Sequence, residues 1–156
     1  MSHIIDSVGN TPLIQIPHKK NKHVRIFAKC EWFNPSGSVK DRAAANMIKT
    51  GLESGIASGK TLIDATSGNT GIAYALYGAS LGLPVELALP ENASEERKLI
   101  LQNYGVTLHL TSAMEGTDGA QRFVDAHVND HSDRYFYPNQ YANDANWQAH
   151  VKSTGP

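Results

Sequence analysis

The chain has 156 residues, of which 40% are hydrophobic and 19% charged, and its formal net charge is −1 at pH 7. A chain of this length forms one ordinary domain or is a piece of a larger protein. The balanced charge argues against nucleic-acid binding, and the apolar content argues against a disordered chain. Cys30 is the only cysteine, which excludes an intrachain disulfide and a cysteine-rich zinc site. With no leader pattern at the N-terminus and no long apolar run, we expect a cytoplasmic protein without a membrane segment.

Strand-like and helix-like segments alternate along the chain. The strand-like segments are apolar runs, which lie at residues 23–33, 60–66, 84–90, 106–111 and 134–137. Segments with helical spacing of apolar residues lie between them, at residues 38–54, 70–81, 94–104 and 116–128. Strands that alternate with helices of about ten to fifteen residues pair in parallel through right-handed crossovers. The sequence therefore predicts an α/β fold, an open parallel sheet with helices on both faces in three layers.

The loop that follows the strand at 60–66 reads TSGNTG and leads into the helix at 70–81. Parallel sheets bind ligands where strand ends meet helix starts, and the N–H groups of a helix start attract anions. Gly68 leaves room for such an anion to approach. We therefore predict a cradle for a carboxylate or phosphate, the alternative being that Ser67 or Asn69 only caps the helix. Neither the dinucleotide fingerprint nor the Walker motif occurs, so nucleotide binding is not supported.

Lys40 lies in the stretch NPSGSVKDR, residues 34–42. If residues 34–37 form a turn and Ser38 caps the following helix, Lys40 occupies the first turn, where the helix dipole disfavours a cation by about 0.3–1 kcal/mol. A helix start and a partly dry cleft favour the neutral amine, which can attack an aldehyde and form a Schiff base. We interpret Lys40 as a nucleophile, the alternative being an ordinary surface lysine.

Two further features receive structural interpretations. His127 and His131 have a spacing that permits shared metal binding, but the sequence nearby offers no third ligand, so we expect no metal site. Cys30 lies in an apolar strand, where a small buried side chain is the expected role.

Several motifs in combination resemble one enzyme family. They are VGNTPL (8–13), NPSGSVKDR (34–42), TSGNTGIA (66–73), SEERKLIL (94–101), NQY (139–141) and STGP (153–156). Together they resemble the cysteine synthase (O-acetylserine sulfhydrylase) branch of the fold-type II pyridoxal phosphate enzymes. Cystathionine β-synthase shares SVKDR and TSGNTG and stays open as an alternative. The implied fold is the smaller N-terminal domain of the tryptophan synthase β-like fold.

The resemblance implies roles for six residues. Lys40 matches the lysine that binds the cofactor covalently and later removes the α-proton of the substrate. Asn69 matches the asparagine that hydrogen-bonds the 3′-oxygen of the cofactor. The residues that match the binding site for the substrate α-carboxylate are Thr66, Ser67, Thr70 and Gln140. The implied reaction is a β-replacement, in which O-acetylserine and sulfide give cysteine and acetate.

The resemblance also implies an organisation for the chain. Residues 1–34 correspond to an arm that packs on a larger C-terminal domain, 35–145 to the small domain, and 146–156 to the start of the connection. Family members are about twice as long, so we expect a truncated chain that lacks a phosphate-binding loop. The implied partners are an amino-acid substrate, a second copy in a homodimer, and the C-terminus of serine acetyltransferase. A β-replacing enzyme, a module that binds such a tail, and an inactive remnant are the three functional hypotheses.

Overall fold

The computed structural model describes residues 3–18, 20 and 23–156. Its strands are β1 (Leu13–Ile16), β2 (Ile26–Lys29), β3 (Thr61–Ala65), β4 (Val85–Pro90), β5 (Thr107–Thr111) and β6 (Tyr135–Phe136). Its α-helices are α1 (Lys40–Glu53), α2 (Asn69–Leu81), α3 (Glu95–Asn103), α4 (Gly116–Asp130) and α5 (Asp144–Ala149). Short 3-10 helices occupy Ile4–Ser7 and Glu31–Phe33, and a π-helical turn, His150–Thr154, follows α5. Within these ranges no helix is long and apolar enough to cross a lipid bilayer.

A four-stranded parallel sheet forms the centre of the molecule, with strand order β5-β4-β3-β6. Side chains alternate between its two faces: Leu62 and Leu87 pack with α1 and α2, whereas Ile63 and Ala88 pack against α4. Every residue of β4 is buried, as expected of a central strand that is covered on both sides. The predicted α/β fold with helices on both faces is therefore confirmed.

Three elements differ from the sequence prediction. The strand predicted at 23–33 is shorter, because β2 ends at Lys29 and Glu31–Phe33 form a 3-10 turn. Strand β1 was not predicted; it pairs antiparallel with β2 in a separate two-stranded sheet. Helix α5 was not predicted either, although its N-cap Asn143 accepts a hydrogen bond from the Ala145 N–H at 2.9 Å. These elements are short, and four to six residues carry too little periodicity to be recognised in a sequence.

The contact between α2 and β4 depends on a glycine. A β-carbon at Gly78 would lie 2.3 Å from Val85 Cγ2 and 2.9 Å from the Leu83 carbonyl oxygen. Because the second of these atoms belongs to the backbone, it cannot move aside cheaply. Gly78 therefore lets the helix pack closely on the strand that follows it.

We expect Gly78→Ala to lower the free energy of unfolding by about 1–3 kcal/mol, because overpacking moves α2 away from β4. Gly68→Ala is the matched control, since the same change just before α2 adds a β-carbon that meets no other atom within 4 Å, at a φ of −102°. It should leave the stability unchanged or raise it by up to about 1 kcal/mol. Urea unfolding followed by circular dichroism measures both. Equal stability of the two variants would show that the packing is looser than described.

Candidate active site

One cavity brings together the six residues singled out in the sequence. It has a volume of about 410 Å³ and is lined by Lys40, Thr66, Ser67, Asn69, Thr70 and Gln140, together with Gly68, Arg97, Thr117 and Tyr141. An adjoining cavity of about 440 Å³ shares Lys40, Gln140 and Tyr141 with the first. The cavity lies where β3 ends and α2 begins, the edge of a parallel sheet at which ligands bind.

The loop from Thr66 to Thr70 leaves the start of α2 open. Gly68 precedes the helix in an extended conformation, and among the described residues no side chain is seen to cap its first turn. The Thr66 hydroxyl bonds within the loop instead, accepting a hydrogen bond from the Gly68 N–H at 3.3 Å. The structure therefore does not support simple capping by Ser67 or Asn69, and the N–H groups of the first turn stay available to an anion.

Lys40 is the first residue of α1, and its side chain is exposed to the cavity. Its backbone N–H donates to the Ser38 hydroxyl at 3.1 Å, as expected if Ser38 caps the turn. His150 lines the adjoining cavity beside it. Burial, and then the positive charges of Lys40 and Arg42, lower the pKa of His150. The imidazole therefore adds no second positive charge beside the amine at neutral pH.

The carboxylate of Asp41 fixes the turn that positions Lys40. It is fully buried and accepts hydrogen bonds from the Ser36 N–H at 2.8 Å, the Ser36 hydroxyl at 2.6 Å and the Ser38 N–H at 3.1 Å. The Tyr77 hydroxyl of α2 donates a fourth bond. Burial, and then this bond to Asp41, raise the pKa of Tyr77, which therefore stays a donor. Asp41 thus joins the turn, α1 and α2 at one point.

Arg42 connects the same turn to Thr11, just before β1, and to Glu31, just after β2. Its guanidinium donates to Glu31 from Nε at 2.7 Å and from Nη2 at 2.8 Å, and Nη2 also reaches the Thr11 hydroxyl at 3.2 Å. Asn34 donates to the Glu31 carboxylate at 2.8 Å and to the Ser38 carbonyl oxygen at 3.0 Å. The hydrogen bond from Arg42 holds the pKa of Glu31 at about 2, although burial acts in the opposite direction.

Gln140 is attached to the end of β3 by its backbone and its side chain. Its N–H donates to Asp64 at 3.3 Å, and its side-chain amide donates to the Ala65 carbonyl oxygen at 3.1 Å. Asn146 of α5 donates to the Gln140 carbonyl oxygen at 2.7 Å. Asp64 is itself fully buried and also accepts from the Tyr74 hydroxyl at 3.1 Å. Burial raises the pKa of Asp64 to about 7.

Sequence reasoning missed Asp41, Arg42 and Asp64, which lie behind the cavity wall. Asp41 and Arg42 directly follow Lys40, but nothing in the sequence indicated that they are buried. Asp64 did leave a signal, because it is a charged residue within the apolar run TLIDA of β3. Buried charged groups of this kind need specific partners, and here those partners position the cavity residues.

Nearly the whole chain matches known proteins. A model of the family described as pyridoxal-phosphate dependent enzyme matches residues 4–156. A cysteine synthase from Aquifex aeolicus is 54% identical over 97% of this chain and 48% of that protein. The chain spans about half the length of such curated relatives, because this relative and the cysteine synthase B from Pseudomonas aeruginosa are covered over 48% and 51% of their lengths.

Solved structures share the fold. Cysteine synthase from Entamoeba histolytica superposes with a TM-score of 0.90 at 36% identity, over 96% of this chain and 46% of that chain. An O-acetylserine dependent cystathionine β-synthase from Helicobacter pylori superposes with a TM-score of 0.89 at 31% identity, over all of this chain and 52% of that chain. Both structures thus contain the architecture described here within about half of their length.

We expect Asp41→Asn to lower the free energy of unfolding by about 2–4 kcal/mol, because an amide cannot accept from all four donors that surround the carboxylate. Asp130→Asn, at the exposed end of α4, is the matched control and should stay within about 0.5 kcal/mol of the unmodified chain. Chemical unfolding at pH 7 measures the difference. An Asp41→Asn variant that is as stable as the unmodified chain would contradict the role given to this carboxylate.

We expect Glu31→Gln to lower the free energy of unfolding by about 3 kcal/mol at pH 7, since it leaves the buried Arg42 without its counterion. The Glu31 pKa of about 2 lies below the ordinary value of 4.5, so this stabilisation is complete above about pH 5 and is lost as pH falls towards 2. The difference between the two proteins should therefore shrink in acid. Glu95→Gln, which removes a surface ion pair with Lys98, should cost less than about 1 kcal/mol at any pH. A pH-independent cost for Glu31→Gln would contradict the assignment.

Proposed function

Since the chain belongs to the pyridoxal-phosphate dependent enzyme family, we propose that it provides the lysine and the carboxylate cradle of a cysteine synthase, which forms cysteine and acetate from O-acetylserine and sulfide. The single observation that carries this proposal is the convergence of Lys40, Asn69 and the hydroxyl-rich loop on one cavity at an uncapped helix start. An exposed primary amine suits the aldehyde of pyridoxal phosphate, and the helix start suits the carboxylate of an amino acid. The residues present therefore fit that cofactor.

Each residue then has a defined task. Lys40 would hold the cofactor through its side-chain amine, and Asn69 would hydrogen-bond the oxygen of the cofactor ring. The groups that would hold the α-carboxylate of the substrate are Thr66, Ser67, Thr70, Gln140 and the first N–H groups of α2. When bound, pyridoxal phosphate supplies an electron sink at the α-carbon.

The reaction itself would depend on Lys40. With the carboxylate held at the start of α2, the α-hydrogen of the substrate would lie beside Lys40. The substrate amine would take the place of Lys40 on the cofactor, and the freed Lys40 amine would accept the α-proton and return it after sulfide has replaced acetate. Such positioning supplies much of the rate gain in reactions of this kind. Acetate leaves the β-carbon, and sulfide takes its place.

Homocysteine is an alternative to sulfide as the group that attacks the β-carbon of the substrate. The cystathionine β-synthase from Helicobacter pylori has the same architecture over the whole of this chain, so homocysteine could replace sulfide as the attacking group. Incubation with O-acetylserine and either sulfide or homocysteine, with product identification by mass spectrometry, separates the two reactions.

We propose the domain organisation on the basis of exposed apolar surface. In and beside the two-stranded sheet of β1 and β2, the exposed large apolar side chains of the described residues are Leu13, Ile14, Ile16, Val24, Ile26 and Phe27. Trp32 and Phe33, in the 3-10 helix that follows β2, are also exposed, over 60% and 65% of their area. An unpartnered apolar surface of this kind marks an interaction site.

We assign that surface, within residues 1–34, to contact with the half of the relatives that this chain does not match. The same half would provide the groups that bind the cofactor phosphate. Ile5 is an exception within residues 1–34, because it is buried in the core beside α1 and α2. It therefore attaches this N-terminal segment to the proposed small domain of residues 35–145. Residues 146–156 would begin the connection between the two halves.

Partner binding follows from the same cradle. A helix start that holds the carboxylate of an amino acid can also hold the C-terminal carboxylate of a peptide. We therefore include the tail of serine acetyltransferase as a proposed ligand. Independently of the cradle, the family resemblance leads us to propose a homodimer as the assembly.

We expect pyridoxal phosphate to colour the protein yellow and to become fixed to Lys40 when borohydride is added. Peptide mapping by mass spectrometry locates the label. Lys40→Ala should lose both the visible absorbance and the main labelled peptide. Lys49→Ala, which changes a partly exposed lysine on the same helix, should retain them. Labelling spread equally over the surface lysines, with Lys40→Ala unaffected, would refute the proposed function.

A further inference from the structure

Three metal-ligating side chains meet on the α4 face of the sheet. Glu86 comes from β4, His109 from β5 and His127 from α4, and their ligand atoms all lie within 4.8 Å of one another. None of the three lines the cavities around Lys40. Glu86 is the second residue of β4, whereas the cavity lies at the carboxyl end of the neighbouring strand β3. The cluster therefore belongs to a different part of the molecule from the candidate active site.

The ligand atoms of this Glu86 cluster lie close to one another. His109 Nε2 lies 2.7 Å from Glu86 Oε2. The Tyr135 hydroxyl lies 3.2 Å from that same oxygen and 3.1 Å from His127 Nε2. In a tetrahedral zinc site with bonds of about 2.0–2.2 Å, ligand atoms stand about 3.4 Å apart. Side-chain shifts of less than about 1 Å would therefore place the three atoms around one ion.

The surroundings hold the ligands in place. Arg134 binds the other carboxylate oxygen, Oε1, at 3.1 Å, whereas Oε2 contacts His109 and the Tyr135 hydroxyl. Phe123 stacks on the His127 ring with the ring centres 5.3 Å apart and packs against His109 at 5.1 Å. Neighbours that orient a ligand in this way are characteristic of built metal sites. Glu86 is buried, while the two imidazoles are only partly covered, which leaves a path for an ion from solvent.

The side chains that meet His127 come from other elements, whereas the sequence around His127 and His131 offers no third ligand. His131 lies one helical turn away, but its Nδ1 contacts the His127 carbonyl oxygen at 3.2 Å and does not point to Glu86. The further ligands come from β4 and β5, which only the packing of α4 on the sheet brings near. His131 is exposed beside the cluster, with its ring centre 5.2 Å from that of His127.

We propose that Glu86, His109 and His127 form a binding site for one divalent transition-metal ion, with Zn²⁺ as the best match. Two imidazole nitrogens and one carboxylate oxygen are ligands that Zn²⁺ accepts, and three protein ligands leave one position for water. Ca²⁺ and Mg²⁺ prefer oxygen ligands only and fit this set poorly. Bound Zn²⁺ would cross-link α4 to β4 and β5.

Calorimetric titration of the full chain with zinc chloride tests the proposal. We expect one ion per chain, and we expect His127→Asn and His109→Asn each to weaken the affinity at least about tenfold. His18→Asn is the matched control, because it removes an exposed imidazole from the segment after β1 and should leave the affinity unchanged. Equal affinity of His127→Asn and His18→Asn would overturn the site and would show that zinc binds surface histidines at random.

A second measurement needs no substitution and so does not depend on a variant that folds. In nuclear magnetic resonance spectra of the unmodified chain, substoichiometric Zn²⁺ should move the imidazole signals of His109 and His127 before those of His3 and His18. The thermal midpoint should rise with zinc concentration in the unmodified chain, since an ion that binds only the folded state stabilises it. Signals of His3 or His18 that move first, or a midpoint that does not rise, would refute the proposal.

Discussion

The buried carboxylate of Asp41 is the interaction on which the candidate site depends. A charge in the interior costs several kcal/mol unless hydrogen bonds compensate it. Here the compensation comes from Ser36, Ser38 and Tyr77, which belong to the turn and to α2. None of them can move without leaving the carboxylate unsatisfied. The position of Lys40, the residue between this turn and Asp41, follows from that constraint.

Successive residues of one helix turn reach three different environments. Because an α-helix rotates by about 100° per residue, Lys40, Asp41 and Arg42 point in different directions. Lys40 faces the cavity, Asp41 faces the turn and α2, and Arg42 faces Glu31. Three consecutive residues thus supply an exposed amine in the cavity, the carboxylate that fixes the adjoining turn, and the ion pair that connects this turn to Glu31.

Two carboxylates, the partly buried Glu31 and the buried Asp64, contribute to stability with opposite dependence on pH. Glu31 has a strong counterion, so its pKa falls to about 2 and its stabilisation is lost in acid. Asp64 has no cation among its hydrogen-bond partners in the described chain, so burial dominates and its pKa rises to about 7. Its protonated form is favoured in the folded state, and that contribution is lost as pH rises from about 4 to 7. Rising pH therefore weakens the contribution of Asp64 over a range in which the ion pair of Glu31 with Arg42 stays fully formed.

The fold class and the candidate site were predictable from the sequence because both rest on local patterns. Alternating periodicities predicted the strands and helices, and a loop between β3 and α2 with hydroxyls and glycine predicted where an anion would bind. Lys40, Asn69 and Gln140 lie far apart in the chain, but the motifs that contain them indicated that they belong together. The short elements β1 and α5 escaped prediction because they contain too few residues to show a period.

Burial and partner choice were decided only by the tertiary structure. The burial of Asp41 depends on Tyr77, which lies on another helix and donates a hydrogen bond to it. The proposed role of His127 as a ligand depends on Glu86 and His109, which lie on two strands. A sequence specifies which donors and acceptors exist and how each segment prefers to fold. Long-range packing specifies which of them lose water, and it is the loss of water that makes a side chain need its particular partner.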